Sequence, residues 1–190
     1  MRYLIAVAGA TLSACQGDVP RERTQERQAT SAAECGDAVV TGAGVGALRI
    51  GARVDSVRAR CRVVRDTVEL RAEGLPSRVV TMMVGDDTVA AEVDSGRVWR
   101  IEVTRSSPRT ADSLGVGTPL TQLLALPEVR AASGEGGVYV LSNARCGLSF
   151  ELSGHGPGGL RAEWDIAALR RFPPSTVVTR VLVVGCAAGS

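Results

Sequence analysis

The sequence predicts an α+β fold: two tandem repeats of a short strand and helix followed by an antiparallel β-meander, with the helices on one face of the sheet. Three observations carry that expectation. Residues 48–57 (LRIGARVDSV) recur 66 positions later as residues 114–123 (LGVGTPLTQL), each copy a short alternating strand, a glycine and then apolar residues three apart. After each copy the apolar period drops to two, the pattern of a half-buried strand. Turn-forming clusters interrupt the alternation at Gly85-Asp86-Asp87 and Asp94-Ser95-Gly96.

Taken from the N-terminus, residues 1–14 form a short leader. Arg2 gives it a positive head and residues 3–12 an apolar run. That run is too short to cross a bilayer, which takes roughly 20 residues, and has the length of a secretory signal. The leader ends in Leu12-Ser13-Ala14-Cys15, which resembles a bacterial lipobox: a branched residue, two small residues and a cysteine. The resemblance implies cleavage before Cys15, lipidation of its thiol and a lipoprotein held in the membrane by two or three acyl chains, enough for stable anchoring. Gln16 in the next place is compatible with an outer-membrane address facing the periplasm. Residues 15–34 then read as a lipidated N-terminus and a disordered linker, since residues 16–33 are polar, charge-mixed and free of large apolar groups. A flexible tether of that length spans roughly 25 Å root-mean-square.

Four further cysteines follow: Cys35, Cys61, Cys146 and Cys186. An even number in an oxidising compartment suggests two disulfides, with three pairings available. Their locations favour Cys35–Cys61 and Cys146–Cys186. Each bridge closes a loop worth roughly 3.5 to 4 kcal/mol in the chain-entropy account. A cysteine metal site fails on spacing, because no two cysteines lie two to four apart and the one histidine is His155.

The first αβ module is assigned to residues 35–110 and the second to 111–190. In the first, a helix is expected over 54–62, then strands over 78–84, 88–93 and 97–104. On the last of these Trp99, Ile101 and Val103 share a packed face and Arg100 and Glu102 a wet one. In the second, Thr118-Pro119 reads as an N-cap with proline at the first helical position, and Pro127 limits that helix to two turns. Strands are expected over 138–141, 146–152 and 177–185, with a helix over 165–172 stopped by Pro173-Pro174.

The glycine-then-helix opening, IGARVDSVRARC followed by a meander, resembles the small lipoproteins of the outer-membrane barrel-assembly machinery (the SmpA/OmlA type). Its tandem duplication is similar to the fold of the secreted β-lactamase inhibitor protein. Over residues 44–186 the resemblance implies a non-enzymatic module that binds another protein through a concave or edge-exposed sheet.

Composition excludes several classes. The net charge is +2, all 22 basic residues are arginine, and they alternate with acids. There is therefore no basic footprint for nucleic acid and no aromatic platform for stacking bases. Residues 39–47 (VVTGAGVGA) mimic a dinucleotide loop, with Asp66 placed where a ribose-binding acid would lie. The residues after that loop read as a strand, and meanders stand where βαβ units are required, so no cofactor is expected. His155 lies in a glycine-rich loop with no evident support, and Asp86, Asp87 and Asp94 lie in turns. The expectation is a lipid-anchored, non-catalytic cell-envelope protein, not an enzyme. It touches the membrane through lipid on Cys15 and binds or scaffolds another envelope protein. The alternative is a small-molecule or lipid-binding module that uses the groove between the repeats, lined by Trp99, Trp164 or Phe150.

Overall fold

The computed structural model describes residues 35–71, 74–154, 156 and 163–186. Its strands are β1 (Val40–Thr41), β2 (Gly44–Val45), β3 (Leu48–Arg49), β4 (Val63–Leu70), β5 (Pro76–Val84), β6 (Asp87–Asp94), β7 (Arg97–Val103), β8 (Val129–Gly134), β9 (Gly137–Ser142), β10 (Leu148–Leu152), β11 (Glu163–Trp164) and β12 (Val178–Val183). Three helices, α1 (Val54–Arg58), α2 (Leu120–Leu123) and α3 (Ile166–Leu169), and a 3-10 turn at Asn143–Arg145 complete the described elements. Strands β1 to β3 form a small antiparallel sheet; the other nine form one sheet in the order β11-β8-β9-β10-β12-β7-β6-β5-β4, antiparallel at every pairing.

The α+β expectation is thereby corrected. The protein is mostly β, and its described helices have five, four and four residues. Single turns carry too few internal hydrogen bonds to persist by themselves; these are held by burying Val54 and Val57, Leu120 and Leu123, and Ala168 and Leu169. Two of the three also lack a side-chain cap. Arg53 and Pro119 stand at the N-caps of α1 and α2 without a side-chain bond. The Thr118 hydroxyl, expected to cap α2, instead accepts the Gly115 N–H at 2.9 Å. Only α3 has a side-chain cap, where Asp165 accepts from the Ala168 N–H at 2.6 Å.

What recurs at the 66-residue spacing is a backbone hook. Gly51 and Gly117 have φ of 80° and 85°, the left-handed region open to glycine without a Cβ clash. Their N–H groups donate to Val98 O at 2.7 Å and Val178 O at 2.8 Å. Val54 N–H and Leu120 N–H likewise donate to Gly96 O and Thr176 O, both at 3.0 Å. On the donor side each residue reappears 66 positions on; on the acceptor side the spacing is 80. The same 80 relates β7 to β12, which pair with each other through Ile101↔Val183, Glu102↔Leu182 and Val103↔Val181. A pseudo-two-fold therefore passes between Glu102 and Leu182, and the sheet continues through it.

The core lies on one face of that sheet. Val80, Met82, Val89, Ala91, Ile101 and Val103 from the first half join Val138, Val140, Phe150, Val181 and Val183 from the second. The cover is made of Val45 and Leu48 from the small sheet, the three one-turn helices, and Trp164 with Phe172, whose rings meet edge to face at 5.4 Å. Disulfides join Cys35 to Cys61 and Cys146 to Cys186, with Cα atoms 4.7 and 5.4 Å apart. The first is buried and the second lies at the surface.

Candidate functional site

The face of the sheet opposite the core carries the unusual chemistry. Strand pairing sets Glu92 opposite Arg100 on β6 and β7, and Glu151 opposite Arg180 on β10 and β12. The two arginines are counterparts at the 80-residue spacing, so each half supplies one cross-strand Glu–Arg pair. Arg100 Nε donates to Glu92 at 2.8 Å, and its terminal nitrogens reach Glu92 and Glu135. Arg180 donates to Glu151 at 2.6 Å, to Glu102 at 3.3 Å and to the Tyr139 hydroxyl at 2.6 Å. Glu102, beside the pseudo-two-fold, also accepts from Arg71 at 3.2 Å. Arg71 pairs with Glu69 at 3.2 Å as well.

This network is sunk into the protein. Glu92, Arg100 and Glu102 are buried, which corrects the wet face expected for Arg100 and Glu102. The lid is the β8–β9 turn, where Glu135 and Gly136 both have positive φ, the two-residue geometry that matches the twist of a hairpin. That turn brings Glu135 over Arg100 and Arg180. Burial raises the Glu102 carboxyl above its ordinary 4.5, and Arg71, Arg180 and Arg100 pull it back only in part. Removing charges from water is costly and is offset here by dense pairing. The Arg180 guanidinium is held charged, with desolvation opposed by its bonds to Glu151 and its neighbours. Glu92 also accepts from the Ser77 hydroxyl at 3.1 Å; the other described side-chain partners of these carboxylates are arginines.

Trp99 sits at the rim of this network. The sequence puts it on the packed face, but a register shift between Glu92 and Val93 sets Val98 opposite Val93. Trp99 is left 43% exposed, with the Arg100 guanidinium 4.8 Å from its ring centre. It helps to line a cleft of about 560 Å³ with Arg71, Glu92, Arg100 and Glu135. Arg71 Nε lies 4.0 Å from Glu92 and makes no hydrogen bond among the described residues. Phe150 and Trp164, the other expected pocket aromatics, are core residues.

The outer edge of β4 is the second feature. β4 has eight residues and pairs with β5 alone among the described strands. Val64, Val68 and Leu70 project from it into solvent, Val68 at 67% and Leu70 at 75% exposure. A long exposed edge carrying apolar side chains is a template for another strand. The opposite edge of the sheet is the two-residue β11, laid along β8 through Trp164↔Ala131.

The remaining sequence candidates fall elsewhere. Cys15 and His155 lie outside the described residues. The glycines of residues 39–47 serve close backbone approach: a Cβ on Gly42 would strike the Cys146 carbonyl, and one on Gly46 the Cys35 carbonyl. Asp66 is paired with Arg58 and Arg78. No group of three or more metal-ligating side chains occurs among the described residues, and no described helix is long and apolar enough to cross a membrane. Sequence reasoning missed Glu92, Glu135, Glu151 and Arg180. Their alternation was visible, but their convergence depends on a turn far along the chain.

No protein-family description matches the sequence, and no curated protein matches it. Among solved structures, the crystal structure of the uncharacterised protein YfeY from Escherichia coli is similar over 76% of this chain and 98% of that one, at a TM-score of 0.51 and 21% identity. At that identity the likeness speaks for the fold alone.

Proposed function

We propose that this chain is a lipid-anchored, non-catalytic envelope protein that binds another protein through the β4 edge of its sheet. The observation that carries the binding half is the eight-residue edge with Val68 and Leu70 exposed, since strand addition supplies main-chain hydrogen bonds and apolar side-chain contacts together. The anchoring half rests on the leader and Leu12-Ser13-Ala14-Cys15. A photo-crosslinking residue at position 67 of the full chain in cells tests the first half. It gives a discrete protein adduct, and the same residue at the exposed Asp94 turn gives none. No adduct at 67, or equal labelling from both positions, overturns the reading. Cys15→Ala tests the second half. It leaves the leader uncleaved and the chain without acyl mass, and unchanged processing sinks the anchor.

The cleft beside Trp99 favours a second reading, a small-molecule site in which the Trp99 ring and the Arg71 side chain line the ligand. Trp99→Phe changes the fluorescence response to such a ligand if the site is real. A cleft that shows no saturable change with any anionic or aromatic probe removes this reading.

A further inference from the structure

We propose that β4 is a dimer edge: two copies of this chain join their sheets by pairing β4 with β4, antiparallel and centred on Thr67. This rests on the protein-binding reading above and names the partner as a second copy. The pseudo-symmetry gives the first reason. Val63, at the start of β4, and Val129, at the start of β8, are counterparts at the 66-residue spacing. In the second half β8 is closed on its outer side by β11, which belongs to the excursion between β10 and β12. In the first half β6 and β7 are joined by Ser95 and Gly96 alone, so no such excursion exists to close β4. One edge is completed by a described strand of the same chain, and its counterpart, with no described strand beyond it, is open to a strand from outside.

The second reason is that β4 is complementary to itself. Directly opposed residues in an antiparallel pair share a face of the sheet, and Arg65, Thr67 and Glu69 alternate along one face. Centred on Thr67, each Arg65 stands opposite Glu69 of the second copy, giving two opposite-charge pairs for one contact. Centred on Asp66, the pairing sets Asp66 against itself and Arg65 against Thr67. Centred on Val68, it sets Arg65 against Arg71. Charge therefore selects one register. On the other face Leu70 comes level with the partly exposed Val64 of the second copy, and each Val68 stands opposite Asp66, whose carboxylate is already paired with Arg58 and Arg78 of its own copy. The present partner of Arg65 is Glu69 of its own strand, 3.5 Å away, with Arg65 mostly in water; such exposed pairs hold weakly and exchange readily. A two-fold contact of this kind is closed and stops at two copies.

The test uses the full chain in detergent, by light scattering at tens of micromolar. Wild type is a dimer. R65E and E69R, each with unchanged far-ultraviolet circular dichroism, weaken dimerisation at least about tenfold, because like charges then face each other across the axis. Mixed in equal amounts, R65E and E69R recover a heterodimer, since each copy then offers what the other lacks. Damage within a single copy cannot be repaired by mixing. T67C gives a disulfide-linked dimer on a non-reducing gel, as thiols facing across the axis of a close antiparallel pair lie within bridging distance. A monomeric wild type, or a mixture that stays monomeric, overturns the proposal. If it fails while the photo-crosslinker at 67 captures a different protein, the partner is not a second copy and the broader binding reading survives. If the crosslinker captures nothing, both fail.

Discussion

The two halves of this sheet start alike and end differently. Each opens with a positive-φ glycine, Gly51 or Gly117, that ties a one-turn helix to the last strand of its own half. Each places a cross-strand Glu–Arg pair on the outer face. They part at the connection before that last strand. The first half uses Ser95 and Gly96, both at positive φ. The second half sends out residues 153–177, which carry β11, Trp164, α3 and Phe172. That excursion closes the β8 edge and thickens the cover over its core. The limit of a sheet is set here by what its connections do, while the strands themselves are equivalent.

The largest test of that contrast removes the closure. Trp164 is buried, meets Phe172 and donates from Nε1 to the Ser133 hydroxyl at 3.2 Å. Trp164→Ala is expected to cost roughly 3 to 5 kcal/mol, read from chemical denaturation. A loss under about 1 kcal/mol would mean that the excursion is an ornament and the β8 edge stands without it.

Next in size are the two counterpart arginines. Arg100→Ala strands the buried carboxylate of Glu92, which is left with the Ser77 hydroxyl at 3.1 Å and Arg71 at 4.0 Å, and breaking a buried pair from one side costs about 3 to 5 kcal/mol. Arg180 is more exposed, 19% against 8% for its side chain, and Glu102 keeps Arg71 and Arg100 when it is lost. Arg180→Ala is therefore expected to cost clearly less than Arg100→Ala in the same denaturant series. The reverse order would show that the seam between the halves is held from β12 rather than from β7.

Glu102 and its counterpart Leu182 differ in a way that pH reads out. Burial raises the folded-state carboxyl of Glu102 above 4.5, so the native state binds this proton more tightly than the unfolded chain does. Its contribution to stability is present below 4.5 and is lost as pH rises through the folded value. Subtracting the stability profile of Glu102→Gln from that of wild type should leave a curve that falls with pH just above 4.5. A rising difference would show that the three arginines outweigh desolvation.

The central strands could be read from sequence because one of their faces is apolar. Residues 99–103 alternate between apolar and polar, and the turns at Gly85-Asp86 and Ser95-Gly96 are written in glycine and acids. The edges could not be read that way. β4 (VVRDTVEL) is exposed along much of its length and so shows no apolar period, and β8 (VRAASG) packs small residues against β11. The helices were overread, since residues three apart at Val54 and Val57 or Leu120 and Leu123 describe one turn as well as three. Trp99 is exposed because of a register shift whose one mark in the sequence is the adjacent apolar pair Val98-Trp99. The buried charge network was unreadable for a different reason: Glu135 comes from a turn far from Arg100, and only the folded sheet brings them together.

The smallest expected effect is the most discriminating for the open edge. Leu70 is 75% exposed and has no described strand beyond it, so Leu70→Ser should change the stability of a single copy by no more than about 0.5 kcal/mol. The same side chain lies inside the contact if β4 pairs with a second copy. Dimerisation stabilises the native state by mass action, so wild type should then gain stability as protein concentration rises, and Leu70→Ser should gain less. The two denaturation curves coincide when dilute and separate when concentrated. Separation already present at the lowest concentration would place a cover over Leu70 within one copy, and the two edges of the sheet would no longer differ in kind.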